Sequence, residues 1–151
     1  MKNTFIPTKH GQAGSGLLEI MVAVLVLAFG LLGLAALQAR ALQQNQSSLQ
    51  RSQAVMLSYS ILDSLRADRT NALGGAYNMA QTCVVPGPTG ALVGDTLNNW
   101  MQSLHGRLGA AATTCGFINC NNNGICTIRI FWDDSRAGGN ANETFETRTQ
   151  I

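Results

Sequence analysis

The sequence predicts an α+β protein in which one long N-terminal helix packs on a small antiparallel sheet. Two features of its 151 residues lead to this prediction. An apolar stretch of helical length lies near the N-terminus, and segments with the alternation of strands follow only towards the C-terminus. Helical segments followed by a group of strands are typical of the α+β class.

The first element is a short basic segment followed by a long apolar one. Residues 1–14 carry Lys2 and Lys9, and the segment from Ile20 to Leu37 contains no charged or strongly polar side chain. It is longer than the core of an ordinary secretory signal, and it can cross a bilayer as a helix of about 20 residues. Because positive charge tends to stay on the cytoplasmic side, we expect the distal part of the chain on the opposite side of the membrane.

One carboxylate, Glu19, lies near the start of this apolar segment. A charge near the centre of a bilayer costs roughly 2.5–3.5 kcal/mol, so its presence needs a cause. Cleavage of a signal near Ala39–Ala41 is one interpretation of the segment, and a plain uncleaved membrane anchor is another. Neither of them explains Glu19.

The helix is expected to continue beyond Arg40, through a polar part, and to end near Gly74-Gly75. Apolar residues recur at seven-residue spacing along its polar part, at Leu42, Leu49 and Met56. A denser stripe at helical spacing follows and is predicted to pack on the sheet. Its members are Val55, Tyr59, Leu62 and Leu65–Arg66.

The remaining residues predict a second helix and three strands. A loop rich in proline and glycine occupies residues 81–95, and its last residue, Asp95, is a candidate N-cap for a helix that closes at Gly106 or Gly109. One face of that helix is apolar, with Leu97, Trp100, Met101, Leu104 and Leu108. Strand-like segments follow at 113–119, 124–134 and 143–151, and the second places Ile128, Ile130 and Trp132 on one face.

Four cysteines, Cys83, Cys115, Cys120 and Cys126, lie in the part after Ala72. An even number in a small domain indicates disulfides formed in an oxidising compartment, and a domain of roughly 80 residues needs such links. Their C-x4-C-x5-C spacing is not a standard zinc pattern. Of the three possible pairings we favour Cys120–Cys126, closing a turn, and Cys83–Cys115, tying the loop to the sheet.

Charge and motifs argue against several functions. The net charge of +2 comes from Lys2 and Lys9, and the rest of the chain is balanced without a basic run, so nucleic acid is not an expected partner. His105 has no obvious nucleophilic partner, and Asp133-Asp134 lacks the spacing of a calcium loop. We therefore expect no enzymatic activity, no cofactor and no metal.

The N-terminal pattern resembles a known family. Gly14 is followed five residues later by Glu19 at the head of a long apolar helix, which is the mark of type IV prepilins. The stretch "GLLEIMVAVLVLAFGLLGLAALQ" resembles in particular the minor pilins known as pilus modification proteins, of PilV type. The "FWDD" segment before a final "TFET" strand is also similar to that group, though more loosely.

This resemblance implies how the chain is processed and which proteins it assembles with. Prepilin peptidase would cut between Gly14 and Ser15, Ser15 would be N-methylated, and Glu19 would become the fifth residue and an assembly contact. The resemblance further implies an inner-membrane precursor with a periplasmic head, which then joins the pilus with the major pilin and other minor pilins. Its role would be initiation of pilus assembly, with a place at the filament tip left open.

The resulting division of the chain has four parts: a leader at 1–14, an apolar helix at 15–39, its continuation at 40–72 and a disulfide-linked head at 73–151. Two alternatives to the minor pilin stay open. A minor pseudopilin of a type II secretion system shares the same N-terminal physics, and the head could instead act as an adhesin or binding module at a filament tip.

Overall fold

The computed structural model describes residues 15–109 and 112–151. The expected leader at 1–14, with Gly14 of the expected cleavage site, lies outside the described residues. Contacts divide the chain after Arg40 into an N-terminal unit and a second unit, Ala41–Ile151, which we call the head. This unit contains residues 41–72 of the expected continuation of the helix together with the expected disulfide-linked part at 73–151.

A single α-helix, α1, runs from Ser15 to Ala67. No proline interrupts it, since the chain has none between Pro7 and Pro86. One residue after its end, a short helix, α2 (Arg69–Leu73), continues to the predicted stop at Gly74-Gly75. Gly75 has a φ of +76°, a left-handed conformation that glycine adopts without strain.

Asp68 organises the break between α1 and α2. Its carboxylate accepts hydrogen bonds from Asn71 Nδ2 at 3.0 and 2.9 Å and from the Tyr77 hydroxyl at 3.0 Å. Burial of Tyr77, and then its hydrogen bond to Asp68, raise the pKa of the tyrosine hydroxyl. The hydroxyl therefore keeps its proton and holds the segment after the helix against the break.

The head contains one four-stranded antiparallel sheet, in the order β1-β2-β3-β4. Its strands are β1 (Met79–Thr82), β2 (Cys115–Cys120), β3 (Ile125–Trp132) and β4 (Glu143–Gln150). A helix, α3 (Leu92–Leu108), lies between β1 and β2 in sequence, and a short 3-10 turn at Ser135–Ala137 lies between β3 and β4. The predicted α+β fold, a long N-terminal helix packed on a small antiparallel sheet, is confirmed.

The core lies between one face of this sheet and the two long helices. Ile128, Ile130 and Trp132 are buried as the alternation predicts. The indole N–H of Trp100 donates to the backbone oxygen of Leu57 at 3.0 Å, which ties α3 to α1. At Gly116 a Cβ atom would lie 2.6 Å from the Trp100 ring, so glycine lets α3 approach β2 closely.

The predicted packing stripe on α1 is correct at Leu62 and Leu65. It is wrong at Tyr59, which is 54% exposed, and at Arg66, which is also exposed. The buried face of α1 is rotated slightly from the predicted one, because it includes the small residues Ala54 and Ser58, which let the helix approach the core closely. Large side chains alone do not reveal that rotation. The buried positions of α1 are Ala54, Leu57, Ser58, Ile61, Leu62 and Leu65.

Two further predictions about the head need correction. Strand β1 was not expected, and its last two residues fall in the segment interpreted as a loop. Asp95 does not cap α3, which begins three residues earlier with Ala91 in the N-cap position. Its carboxylate instead accepts hydrogen bonds from the backbone N–H groups of Thr89 and Gly90, at 3.0 and 3.1 Å, and so stabilises the loop that precedes the helix.

Replacement of Leu62 and Tyr59 by alanine tests the corrected face of α1. Leu62→Ala removes a fully buried side chain and should lower the free energy of unfolding by about 2–5 kcal/mol. Tyr59→Ala removes an exposed one and should change it by only about 0.5 kcal/mol. Denaturant unfolding in detergent, followed by the fluorescence of Trp100 and Trp132, measures both. Equal losses would contradict the orientation described here.

Candidate functional site

The N-terminal part of α1 is the first candidate site. Its large apolar side chains, from Leu17 to Leu37, are between 53% and 72% exposed. An 18-residue window of the helix has a mean hydropathy of 2.8, and none of that window is buried. Among the described residues this is one helix long and apolar enough to cross a bilayer. Apolar surface of this extent needs cover from lipid or from other chains.

Glu19 lies in the second turn of α1, and its side chain is exposed. Within residues 15–109 and 112–151, the ion pairs join Arg66 to Asp63 and Arg129 to Glu146, and neither includes Glu19. Ser15 is the first residue of α1. Glu19 is therefore positioned four residues from the expected new N-terminus, about 6 Å along the helix axis.

Three glycines on the same helix have no packing partner among residues 15–109 and 112–151. A Cβ atom added at Gly16, Gly30 or Gly33 would meet no described atom within 4 Å. These positions are places where a second helix can approach the backbone closely. Their use in packing stays a prediction.

The seven-residue repeat on the polar part of α1 faces solvent. Leu42, Leu49 and Met56 are 69%, 56% and 55% exposed, although all three belong to the head. The head covers the opposite face of the helix, where Ala54 and Leu57 are buried. Three apolar side chains at seven-residue spacing therefore form an exposed stripe on this face of α1.

The cysteines form two disulfides, Cys83–Cys115 and Cys120–Cys126, which is the pairing favoured from the sequence. The first ties the loop after β1 to the start of β2. The second joins residues that face each other across the β2–β3 hairpin. Both links lie in the head, which is consistent with an oxidising environment for that unit.

The remaining candidates from the sequence, His105 and Asp133, contact the backbone of neighbouring segments. His105 Nε2 lies 3.0 Å from the backbone oxygen of Thr114 and so links the last turn of α3 to the approach to β2. Asp133 accepts a hydrogen bond from the backbone N–H of Ser135 at 2.9 Å. The hydroxyl and backbone N–H of Ser135 lower the pKa of Asp133. Within the described ranges, no group of three or more His, Cys, Asp or Glu side chains is arranged to hold a metal.

A buried polar cluster was not anticipated from the sequence. Asp134, the second residue of the Asp133-Asp134 pair, is only 3% exposed, and its carboxylate accepts a hydrogen bond from the Ser47 hydroxyl on α1. The two residues are 87 positions apart, so no local pattern could have revealed the contact. The alternation of β3 was the one available signal, because it continues through Trp132 to Asp134 on the inner face.

Comparison of the chain with protein-family models, with curated proteins and with solved structures finds no match. Together, fold and site define a class in general terms: an α+β head on a long helix whose N-terminal part is apolar, exposed and able to cross a bilayer.

Removal of each disulfide should destabilise the head to a different degree. In the chain-entropy description, the Cys83–Cys115 link closes 32 residues and contributes about 3–4 kcal/mol, while Cys120–Cys126 closes 6 and contributes about 2 kcal/mol. Double Cys→Ala variants of each pair, unfolded by denaturant under oxidising conditions, measure the two losses. A larger loss from the Cys120–Cys126 variant would contradict this ranking.

Proposed function

We propose that this chain is a minor pilin of a type IV pilus. It would be made as an inner-membrane precursor, cut by prepilin peptidase between Gly14 and Ser15, and built into the filament with the major pilin and other minor pilins. The observation that carries the proposal is the placement of Glu19, a lone carboxylate at the head of an exposed apolar helix. The role that we propose for the protein is initiation of pilus assembly.

The topology of the precursor follows from charge and redox chemistry. Lys2 and Lys9 favour a cytoplasmic leader, which puts the head in the periplasm. The two disulfides of the head support that side of the membrane, because the bacterial periplasm is oxidising. In this proposal the α-amine of Ser15, methylated after cleavage, would lie at the cytoplasmic edge of the bilayer.

Glu19 has a physical role in this proposal. When apolar helices pack into a filament, the carboxylate of one subunit can meet the Ser15 amine of its neighbour away from water. Two unit charges 4 Å apart attract by about 4 kcal/mol at an effective dielectric of 20. Desolvation offsets much of this energy, so the contact sets the axial register of the subunits more than it adds affinity.

The exposed stripe of Leu42, Leu49 and Met56 supports the same interpretation. Its heptad spacing suits contact with a neighbouring helix, and its exposure leaves it free to make one. Gly30 and Gly33 allow a close approach along the apolar part of α1. Subunit packing would thus use α1 along most of its length, while the other faces of the head determine which subunits become neighbours.

A Glu19→Ala variant tests the proposal directly. Loss of the carboxylate leaves the neighbour's amine unpaired, so incorporation into sheared pili should fall by more than about tenfold. Glu143→Ala, which removes a carboxylate from β4, is the matched control and should be incorporated normally. Immunoblots compare the amount of each variant in sheared pili with its amount in membranes.

Normal incorporation of the Glu19→Ala variant would contradict the proposed assembly role of this residue. The wild-type protein could be completely absent from sheared pili while type II secretion depends on it. That result would assign the chain to a pseudopilus instead. Subunits of both filaments share the apolar N-terminal helix with its carboxylate, so the location of the wild-type protein is the readout that distinguishes them.

A further inference from the structure

Strand β4 is an open edge of the sheet in the described part of the chain. It pairs with β3 along its whole length, from Glu143 to Gln150, and the register contains no bulge. No described strand lies on its other side. The strand contains neither proline nor glycine. The main-chain N–H and C=O groups along an edge of this kind can pair with a strand of another chain.

The opposite edge of the sheet is less suited to such pairing. Strand β1 has only 4 residues, and its register with β2 shifts between Met79 and Thr82. Short edge strands and bulges are two of the ways in which proteins protect an edge from other chains. Strand β4 has 8 residues in regular pairing and neither of these protections, so it is the edge where a further strand could be added.

The hydrogen-bond pattern shows which residues of β4 face outward. The N–H of Ile151 donates to the backbone oxygen of Gly124 at 2.9 Å, on the side of β3. Because main-chain groups alternate in direction along an antiparallel strand, the odd-numbered residues of β4 face β3 in the same way. The even-numbered residues therefore point their main-chain groups away from the sheet, and their side chains are exposed. These outward residues are Thr144, Glu146, Arg148 and Gln150.

The outward residues include one acid and one base, two positions apart. Glu146 Oε2 accepts from Arg129 Nε on β3, so its second oxygen remains available. Arg148 is exposed and takes part in neither of the ion pairs among the described residues. When two copies of β4 pair antiparallel, Glu146 of each copy can lie opposite Arg148 of the other. The charge pattern of this edge is therefore complementary to itself.

One central register brings these opposite charges together. Outward residues must lie opposite outward residues, so the strands can shift only in steps of two residues. A register centred on Glu146 opposes two carboxylates, and one centred on Arg148 opposes two guanidinium groups; both are unfavourable. A register centred on Thr147 forms two Glu146–Arg148 contacts instead. On the inner face it sets the half-buried Phe145 of each copy opposite Thr149 of the other.

We propose that β4 binds a second copy of this chain, antiparallel and centred on Thr147. About eight main-chain hydrogen bonds between the outward residues supply the affinity, and the two charge contacts select the register. The interface is isologous, because the same strand is used by both copies. This inference does not rest on the proposed assembly role, since it uses only the sheet of the head.

The pairing also sets the relative direction of the two heads. The Ser47 hydroxyl of α1 contacts Asp134, just beyond β3, and Arg69 Nε donates to the backbone oxygen of Ile151 at 3.1 Å, just beyond β4. From residue 47 onward α1 therefore runs in the same direction as β4. Antiparallel pairing opposes these parts of α1 in the two copies. In a filament built as proposed above neighbouring helices run the same way, so this contact would join heads from two filaments or two membranes.

Cysteine crosslinking of the full chain tests the pairing. The chain has four cysteines, all of them in disulfides, so Thr147→Cys introduces a single free thiol. In the proposed register the Cα atoms of the two Thr147 residues are about 4.5 Å apart, within the reach of a disulfide. Thr149→Cys is the matched control, because its two Cα atoms would lie about 13 Å apart. Thr147→Cys should therefore crosslink at least about tenfold faster.

The reaction is carried out under mild oxidation, in detergent with micelles in large excess over protein. Under these conditions the apolar helices of two chains seldom share a micelle, so the heads alone bring the thiols together. Non-reducing gels measure the rate at which the dimer forms. Equal rates for the Thr147→Cys and Thr149→Cys proteins would overturn the proposal.

Charge reversal in the Thr147→Cys protein tests the register. Arg148→Glu sets carboxylates opposite Glu146 in both contacts and should slow crosslinking by about tenfold. Arg51→Glu makes the same change of charge at an exposed position of α1, away from the edge, and should leave the rate unchanged. An unchanged rate in the Arg148→Glu protein would overturn the register centred on Thr147.

Discussion

The apolar surface of α1 must be kept from water, and this constraint shapes the rest of the chain. From Leu17 to Leu37 the large side chains are mostly exposed, and no other described part of the chain covers them. Lipid can cover such a surface, and so can a sheath of similar helices. Glu19 is the one charged side chain between Ser15 and Gln38, and the partner that it would gain in an assembly stays a proposal.

The head is a small unit, and its stability is limited by the size of the core that it can bury. One sheet face and two helices supply a core, and two disulfides add links that the core alone is too small to replace. The same α1 that serves the apolar segment also contributes Leu57 and Leu62 to this core. Within the head, the part of α1 after Arg40 is therefore a component of the core.

Sequence patterns were reliable where one property repeats along a single element. The apolar segment of α1, the alternation of Ile128, Ile130 and Trp132, and the use of every cysteine in a disulfide follow from such patterns. Strand β1 has no apolar alternation and depends on pairing with β2, supported by Asn78, whose side chain bonds the backbone of Cys120. The contact of Ser47 with Asp134 and the cluster around it also arise from tertiary packing, which a single sequence does not display. Glu19 could be singled out from its unusual position, while its role in assembly stays a prediction.

The mass of the N-terminal peptide, taken from protein extracted from native membranes, tests the central proposal most directly. A mature chain that begins at Ser15, with or without a methyl group, is the result that the minor-pilin proposal predicts. A chain that begins at Met1 or its neighbour, or one cut near Ala41, would contradict the proposal. Glu19 would then be a charge at the edge of an ordinary anchor or of a discarded signal, with no amine within its reach.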